Sequence, residues 1–413
     1  MATIQALPPA REIPSAFSAS LKSWWAVGEK ASAVAEERIL RRLPFFGADS
    51  GPVVAQSLRV DLATPKHYLN TLAITSTNPA PGAPPPAVLL HGYGAGLGFF
   101  FMNFMSLAQW AGHRGTSVYA VDWLGMGRSA RVPFVMKSPK KDVPGRVREA
   151  ESFFIDSLEE WREKMKLEQM TLVGHSLGAY FSVVYALKYP HRVNKLILLS
   201  PAGVPRDPDA TSAPERELES PPSFSSNGST ASIEPATQSK VDEIRAEQVA
   251  AKPRPSRTRR LFMHLWEEGW SPFQVVRSTL FWGPLLVGKY SSRRFTGLTE
   301  EETRNMHDYI LNITLAKGSG EYCISHILSP GAIARMPLVD RVAPIKIPVT
   351  FVYGDHDWMD PEGGEAAVEI LRKSGNGNCR SYIVNNAGHH VYLDNPKAVD
   401  ALIVRELDRE PIR

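Results

Sequence analysis

The sequence predicts an α/β fold, a mostly parallel central sheet with helices on both faces. Three observations predict it. Short, continuously apolar runs recur at residues 87–91, 117–122, 170–174, 196–200, 348–353 and 380–385. Runs of that kind read as strands buried on both faces. Helical stretches lie between them, at residues 99–111, 147–166, 177–189, 361–374 and 396–407, and strands alternating with helices imply parallel pairing through crossovers. The composition is that of a globular chain, 43% hydrophobic and 22% charged, which excludes wholesale disorder, collagen and coiled coil.

Taken in order, residues 1–48 read as a tail and an amphipathic helix lying outside the core. Residues 1–20 carry only Arg11 and Glu12 as charges. Acidic residues are scarce up to Gly28 while Ser and Lys are present, so a mitochondrial presequence is one reading and a flexible tail the other. Residues 57–62 and 68–76 read as two strands, and a Pro-rich turn from Pro79 to Pro86 leads into the first central one. The core is expected over 49–204 and 337–413, with a cap, 205–336, inserted before the last two strands. Within that cap, residues 206–258 are rich in Ser, Pro, Glu and Ala with almost no large apolar side chain. Such a segment buries too little surface to offset its chain entropy, and disorder is expected. Residues 261–290 are the opposite, crowded with Phe262, Trp266, Trp270, Phe273, Phe281 and Trp282, and read as cap helices.

Several classes of partner are excluded by simple counts. Lys and Arg number 47 against 43 Asp and Glu. This surplus is too thin for nucleic acid, although it suits an anionic membrane surface. No run approaches the roughly 18 apolar residues of a membrane span; the best candidate is 279–288. Two cysteines, Cys323 and Cys379, make no disulfide framework and favour a reducing compartment.

Chemistry concentrates at a few places. Gly174-His175-Ser176-Leu177-Gly178 stands between a predicted strand and a predicted helix. That context marks a Gly-x-Ser-x-Gly nucleophile elbow, a bend so tight that the flanking residues must be small. Ser176 is therefore the expected nucleophile of an α/β-hydrolase fold, in which an acid and then a histidine follow along the chain. Among eleven histidines, His389 follows the last strand, after Gly388, where the base belongs; His390 is its neighbouring rival. His175 is expected to be structural. Residues 354–360 offer three carboxylates: Asp357 is the expected acid, Asp360 the alternative, and Asp355 a turn residue. The glycine-rich stretch from His91 to Gly96 lets backbone N–H groups approach a carbonyl oxygen, and those of Tyr93 and Leu177 are the oxyanion-hole candidates. The turn from Asp122 to Ser129 reads as structural. No metal site and no organic cofactor is called for.

Together with Ser271-Pro272-Phe273, Gly318-Ser319-Gly320-Glu321 and the run from His389 to Asp394, these motifs resemble a lipid-acting subfamily of α/β-hydrolases. It contains the fungal cardiolipin-specific deacylase, lysophosphatidic acid acyltransferases and the animal lipase co-activator. The resemblance covers most of the chain from about residue 20, apart from the low-complexity insertion. It implies a phospholipid substrate, peripheral attachment to a membrane, and cardiolipin deacylation in acyl-chain remodelling. An acyl-CoA-dependent lysophosphatidic acid acyltransferase and a non-catalytic lipase regulator are its alternatives. It further implies a mitochondrial location peripheral to the inner membrane, with lipid droplet or cytoplasm as alternatives. The His-x4-Asp motif, His389 and Asp394, is linked in the family to acyl transfer. Here Asp394 is expected to anchor the turn or to cap the last helix. Arg277, Lys289, Arg293 and Arg294 are candidates for lipid phosphates, and the aromatic cap for the acyl chains and the interface. Oligomeric state is not readable.

Overall fold

The computed structural model describes residues 7–48, 50–206, 233–250, 265–266, 270–295 and 297–411. Its centre is a nine-stranded sheet. In chain order its strands are β1 (Val53–Asp61), β2 (Tyr68–Ser76), β3 (Ala87–Leu90), β4 (Ser117–Val121), β5 (Met170–His175), β6 (Val193–Leu199) and β7 (Ile233–Pro235). A separate two-stranded ladder, β8 (Leu328–Ser329) and β9 (Ile333–Ala334), lies in the cap, and β10 (Val349–Gly354) and β11 (Cys379–Val384) complete the main sheet. The order across it is β1-β2-β4-β3-β5-β6-β10-β11-β7. From β4 to β11 every pairing is parallel; β2 and β7 run against their neighbours.

Alternation along the central strands builds two cores. Leu172, Leu196 and Leu198 join the one holding Trp123, Phe154, Trp161 and Phe181. Val173, Ile197 and Leu199 join the other, with Phe100, Phe104, Trp110 and Tyr392. Successive side chains of a strand point to opposite faces, so each strand feeds both layers. On the first face lie helices α4 (Val143–Lys164) and α5 (Leu177–Lys188). On the second lie α3 (Phe104–Arg114) and the C-terminal Pro396–Asp408 helix.

Residues 17–25 and 29–40 form two helices, α1 (Phe17–Trp25) and α2 (Glu29–Leu40), where one was expected. The second is not peripheral: Ala35, Ile39 and Leu40 are buried in the core, and so is Glu36. Its few apolar residues fall at i and i+4, which is enough to bury one face.

The expectation of disorder over 206–258 is corrected for residues 233–250. Ile233–Pro235 adds to the free edge of β11, and helix α6 (Gln238–Ala250) follows. Two side chains at i and i+3, Val241 and Ile244, are buried. Strand addition uses backbone N–H and C=O groups, which composition does not encode. Residues 207–232 and 251–258 lie outside the described residues.

Among the described residues from 270 to 336, the insertion holds the helices α7 (Pro272–Ser278), α8 (Gly283–Arg294), α9 (Glu300–Leu315) and the short α10 (Ile324–Ile327) beside the β8–β9 ladder. Phe262 is outside the described residues. Trp266 is buried, while Leu280, Trp282 and Leu286 are exposed beside Phe17, Leu21 and Trp25 of α1. The Phe17 ring lies 5.1 Å from that of Phe281 and 4.9 Å from that of Trp282. Among the described residues no helix is long and apolar enough to cross a membrane. Both cysteines are free and buried.

Candidate active site

Ser176 sits between β5 and α5 with φ 53° and ψ −115°, a backbone state that costs about 1–3 kcal/mol and persists only where its surroundings enforce it. The enforcement is visible. Ser176 N–H donates to Leu199 O at 2.9 Å, and Ser176 O accepts from Ala202 N at 3.2 Å. A Cβ on Gly174 would stand 2.6 Å from Gly178 O, and one on Gly178 would strike the carbonyls of Leu90 and His91. The bend is thus pressed between its own helix and the end of β3, which is why both glycines are needed.

Ser176 and His389 are about 7% and 8% exposed, and Ser176 Oγ lies 3.0 Å from His389 Nε2. On the other side of the ring, Nδ1 lies 3.1 Å from Asp357 Oδ1. A carboxylate only accepts, so Nδ1 carries the proton and Nε2 is left to accept from the serine hydroxyl. Asp357 Oδ1 also accepts from Met359 N at 3.0 Å, and the indole of Trp358 lies 4.8 Å from the His389 ring. Asp360, the alternative acid, caps the Pro361–Lys373 helix, α11, and accepts from Glu362 N at 2.9 Å. Asp355 bonds the N–H groups of Asn386 and Ala387, each at 2.9 Å, and ties the acid loop to the histidine loop.

The other histidines of this region are structural. His175 Nε2–H donates to the carbonyl of His389 at 3.0 Å. His390 is buried, 3.1 Å from the Tyr392 hydroxyl; burial, with help from Arg294, holds its pKa well below the ordinary value. His91 Nδ1–H donates to Gly92 O at 2.8 Å and its Nε2 accepts from Trp123 N at 3.2 Å. Burial lowers its pKa, with Asp122 opposing. Asp122 binds the N–H groups of Leu97 and Arg128, each at 2.7 Å, and is a scaffold for the loops around it.

Leu177 is the first residue of α5, and the first N–H groups of a helix have no intrahelical acceptor. Gly92 lies against the nucleophile, where an added Cβ would be 3.0 Å from Ser176 Cβ. Tyr93 follows it, its ring 5.0 Å from that of Phe273 in the cap. Both oxyanion-hole candidates therefore flank the serine.

Asp394 anchors the turn. It accepts from Gly388 N at 2.9 Å and forms a buried ion pair of 2.8 Å with Arg294 of α8. The helix that follows, α13 (Pro396–Asp408), is capped by Asn395 instead; the one-turn α12 (Val391–Asp394) lies between. Arg294 is thereby corrected: it is buried against Asp394 and does not face lipid. Arg277 pairs with Glu321, while Lys289 and Arg293 are exposed.

Two contributors were not anticipated. Gln248 of α6 donates to the carbonyls of Asp357 and Met359 at 2.8 and 3.2 Å; nothing in its polar surroundings marks it. Arg131 lines a pocket beside Gly94, and its only signal is its place at the end of the Asp122 motif. Among the described residues no cluster of His, Cys, Asp or Glu is arranged to hold a metal.

A strained serine at a strand-to-helix bend, beside a histidine and a carboxylate from later loops, is the layout of an α/β hydrolase. Comparison agrees: the family described as alpha/beta hydrolase fold matches residues 85–396, and the chain belongs to it. Within the family it groups with lipid-acting members. It is 37% identical over 335 residues to an Arabidopsis thaliana protein named 1-acylglycerol-3-phosphate O-acyltransferase, covering 80% of this chain and 67% of that one. It is 28% identical over 339 residues to the Homo sapiens (lyso)-N-acylphosphatidylethanolamine lipase, covering 81% and 82%. With the Rattus norvegicus 1-acylglycerol-3-phosphate O-acyltransferase ABHD5 it shares 30% over 317 residues, 76% and 74% of the two chains. Among solved structures, a Bacillus subtilis carboxylesterase matches with a TM-score of 0.50 at 16% identity, over 92% of this chain and 99% of that one. This last likeness concerns the fold alone.

Proposed function

We propose that this chain is a serine-dependent acyl-ester hydrolase acting on glycerophospholipids at a membrane surface, with cardiolipin deacylation as its specific reaction. The observation that carries the reading is the unbroken chain from Ser176 Oγ through the His389 ring to Asp357, at 3.0 and 3.1 Å. His389 Nε2 takes the hydroxyl proton as Oγ attacks the acyl carbonyl, and Asp357 steadies the imidazolium. The oxyanion is held by the N–H groups of Tyr93 and Leu177. Collapse expels the lysolipid oxygen, which takes the proton from His389, and water then cleaves the acyl-enzyme by the same steps reversed. The lipid-acting relatives support the substrate class. The exposed apolar residues shared by α1 and the cap support peripheral attachment.

Covalent labelling by a fluorophosphonate tests the chemistry. Labelling is expected with the full chain and lost in Ser176→Ala; a folded wild-type protein that takes no label would point instead to a non-catalytic regulator. Free fatty acid released from cardiolipin without acyl-CoA supports hydrolysis. A second reading, acyl transfer from acyl-CoA to lysophosphatidic acid, is favoured by the name of the plant relative; phosphatidic acid formed only when acyl-CoA is present would establish it. We place the protein on the mitochondrial inner membrane. Fractionation of cells expressing a tagged chain tests this, and recovery with lipid droplets or cytosol would reassign it.

A further inference from the structure

Glycine recurs at every second position from 92 to 98, in Gly92-Tyr93-Gly94-Ala95-Gly96-Leu97-Gly98. Access of a substrate oxygen to the Tyr93 N–H explains small residues beside Tyr93, but not glycines as far along as 96 and 98. Packing explains those. Gly92 faces the nucleophile, and the space at each of the other three is filled from the cap. A Cβ on Gly94 would overlap the ring of Phe273, from α7, and one on Gly96 would overlap the hydroxyl of Tyr309, from α9. One on Gly98 would stand 2.8 Å from Tyr309 Cε1, closer than non-bonded carbons pack. Gly94 also has φ 71°, in a turn closed by Ala95 N–H donating to Gly92 O at 3.4 Å.

The two cap side chains grip the loop at different points. Phe273 covers Gly94, and its ring lies 5.0 Å from that of Tyr93. Tyr309 is fully buried; its hydroxyl accepts from the Gly98 N–H at 3.2 Å, and its ring lies 6.4 Å from that of Phe99. Burial, with Asp122 and Glu36 adding to it, holds the Tyr309 phenol well above its ordinary pKa, so the hydroxyl is neutral. Between these two points Asp122 binds the Leu97 N–H from the core side. The segment that carries Tyr93 is thus fixed at Ser176, at Phe273 and at Tyr309. Among the described residues the Tyr93 N–H itself meets no acceptor. A donor of this kind stabilises a transition state only if it is held in place beforehand.

We propose that Phe273 and Tyr309 are positioning residues of the reaction: seated in the glycine gaps, they aim the Tyr93 N–H at the oxyanion forming on Ser176, so the oxyanion hole is complete only with the cap docked. The inference rests on the ester-hydrolase reading above and adds the side chains that hold its oxyanion hole.

Replacing the carbonyl oxygen of an ester by sulfur reads the hole directly, because sulfur is a weak hydrogen-bond acceptor and draws little from it. Full-length protein is assayed on phenyl hexanoate and on its thiono counterpart, with kcat and KM measured for each. Wild type is expected to prefer the oxygen ester by about a hundredfold or more. Phe273→Ala and Tyr309→Phe should each lower kcat on the oxygen ester about tenfold or more and leave its KM within about twofold. The preference for oxygen over sulfur should fall by a similar factor, which a loss of stability alone would not produce. Val287→Ala, which shortens another buried cap side chain, on α8, is the control and should keep the preference. Urea midpoints confirm that each protein is folded. If Phe273→Ala does not fold, Phe273→Leu and Tyr309→Phe decide. An unchanged preference in folded, active variants, or the same loss in Val287→Ala, overturns this inference and leaves the hydrolase reading standing. A wild-type protein that takes no fluorophosphonate label overturns the hydrolase reading, and this inference with it.

Discussion

At the scale of single residues, the site's geometry depends on groups outside the Ser176–His389–Asp357 chain. Asp394 is the clearest. Its carboxylate holds the N–H of Gly388, next to the base, and pairs with Arg294 from the cap with both side chains about 5–6% exposed. Asp394→Asn keeps an oxygen for Gly388 but strands a buried guanidinium, and breaking such a pair costs about 3–5 kcal/mol. Adding Arg294→Met removes the stranded charge, so the double variant should recover most of the lost stability. Urea midpoints of the four proteins measure this directly. If the double variant is as unstable as the sum of the two single ones, the pair is not what holds the turn. Recovery in the double variant would identify the motif's aspartate as a structural tie between the cap and the His389 loop.

At the scale of elements, the elbow is a packing problem solved by two glycines. A side chain at 178 would meet backbone carbonyls of β3 and the loop after it, and a sheet strand cannot step aside as a flexible side chain would. Gly178→Val is expected either to come out insoluble or, where soluble, to take fluorophosphonate label at least about tenfold more slowly than wild type. Normal labelling would show that the bend tolerates a Cβ there. This element was readable in advance because its signal is local: apolar strand, small-x-Ser-x-small, helix. The central strands, most helices and the choice of Ser176, Asp357 and His389 as the groups that would meet were legible for the same reason, and so was Asp355 as a turn residue. What stayed hidden depends on contacts distant in sequence. Ile233–Pro235 pairs with β11 through its backbone, and Gln248 reaches the acid loop from a helix whose buried apolar side chains, among the described residues, are Val241 and Ile244. Nothing in a stretch rich in Ser, Pro and Glu announces either. Arg294 was misplaced because an arginine beside Arg293 on a helix reads as a solvated pair until the helix is docked.

At the scale of the whole molecule, the C-terminal helix carries a pH dependence into stability. Asp400 is buried, and burial raises its carboxyl from 3.8 to about 7, although an amide hydrogen bond from Asn103 at 2.8 Å pulls the other way. The same Asn103 amide binds the carbonyl of Tyr392 at 3.1 Å, so the contact joins the α3 layer to the segment after His389. The sign follows from where the protons are. Below about pH 4 both folded and unfolded chains hold this proton and the group is neutral to stability. As pH rises from about 4 toward 7, the unfolded chain releases it while the fold retains it, so stability falls. Above about 7 both states are ionised and the loss is complete, up to about 4 kcal/mol. Asp400→Asn has no proton to lose and keeps an oxygen for Asn103. The variant should therefore match wild type near pH 4 and gain on it steadily, standing clearly above it at pH 8. Chemical denaturation of both proteins across that interval gives the difference free of every other titrating group they share. A gap that is the same at pH 5 and pH 8 would mean that Asp400 is ionised in the fold throughout. The tie between α3 and the histidine segment would then be a charged hydrogen bond instead of a neutral one.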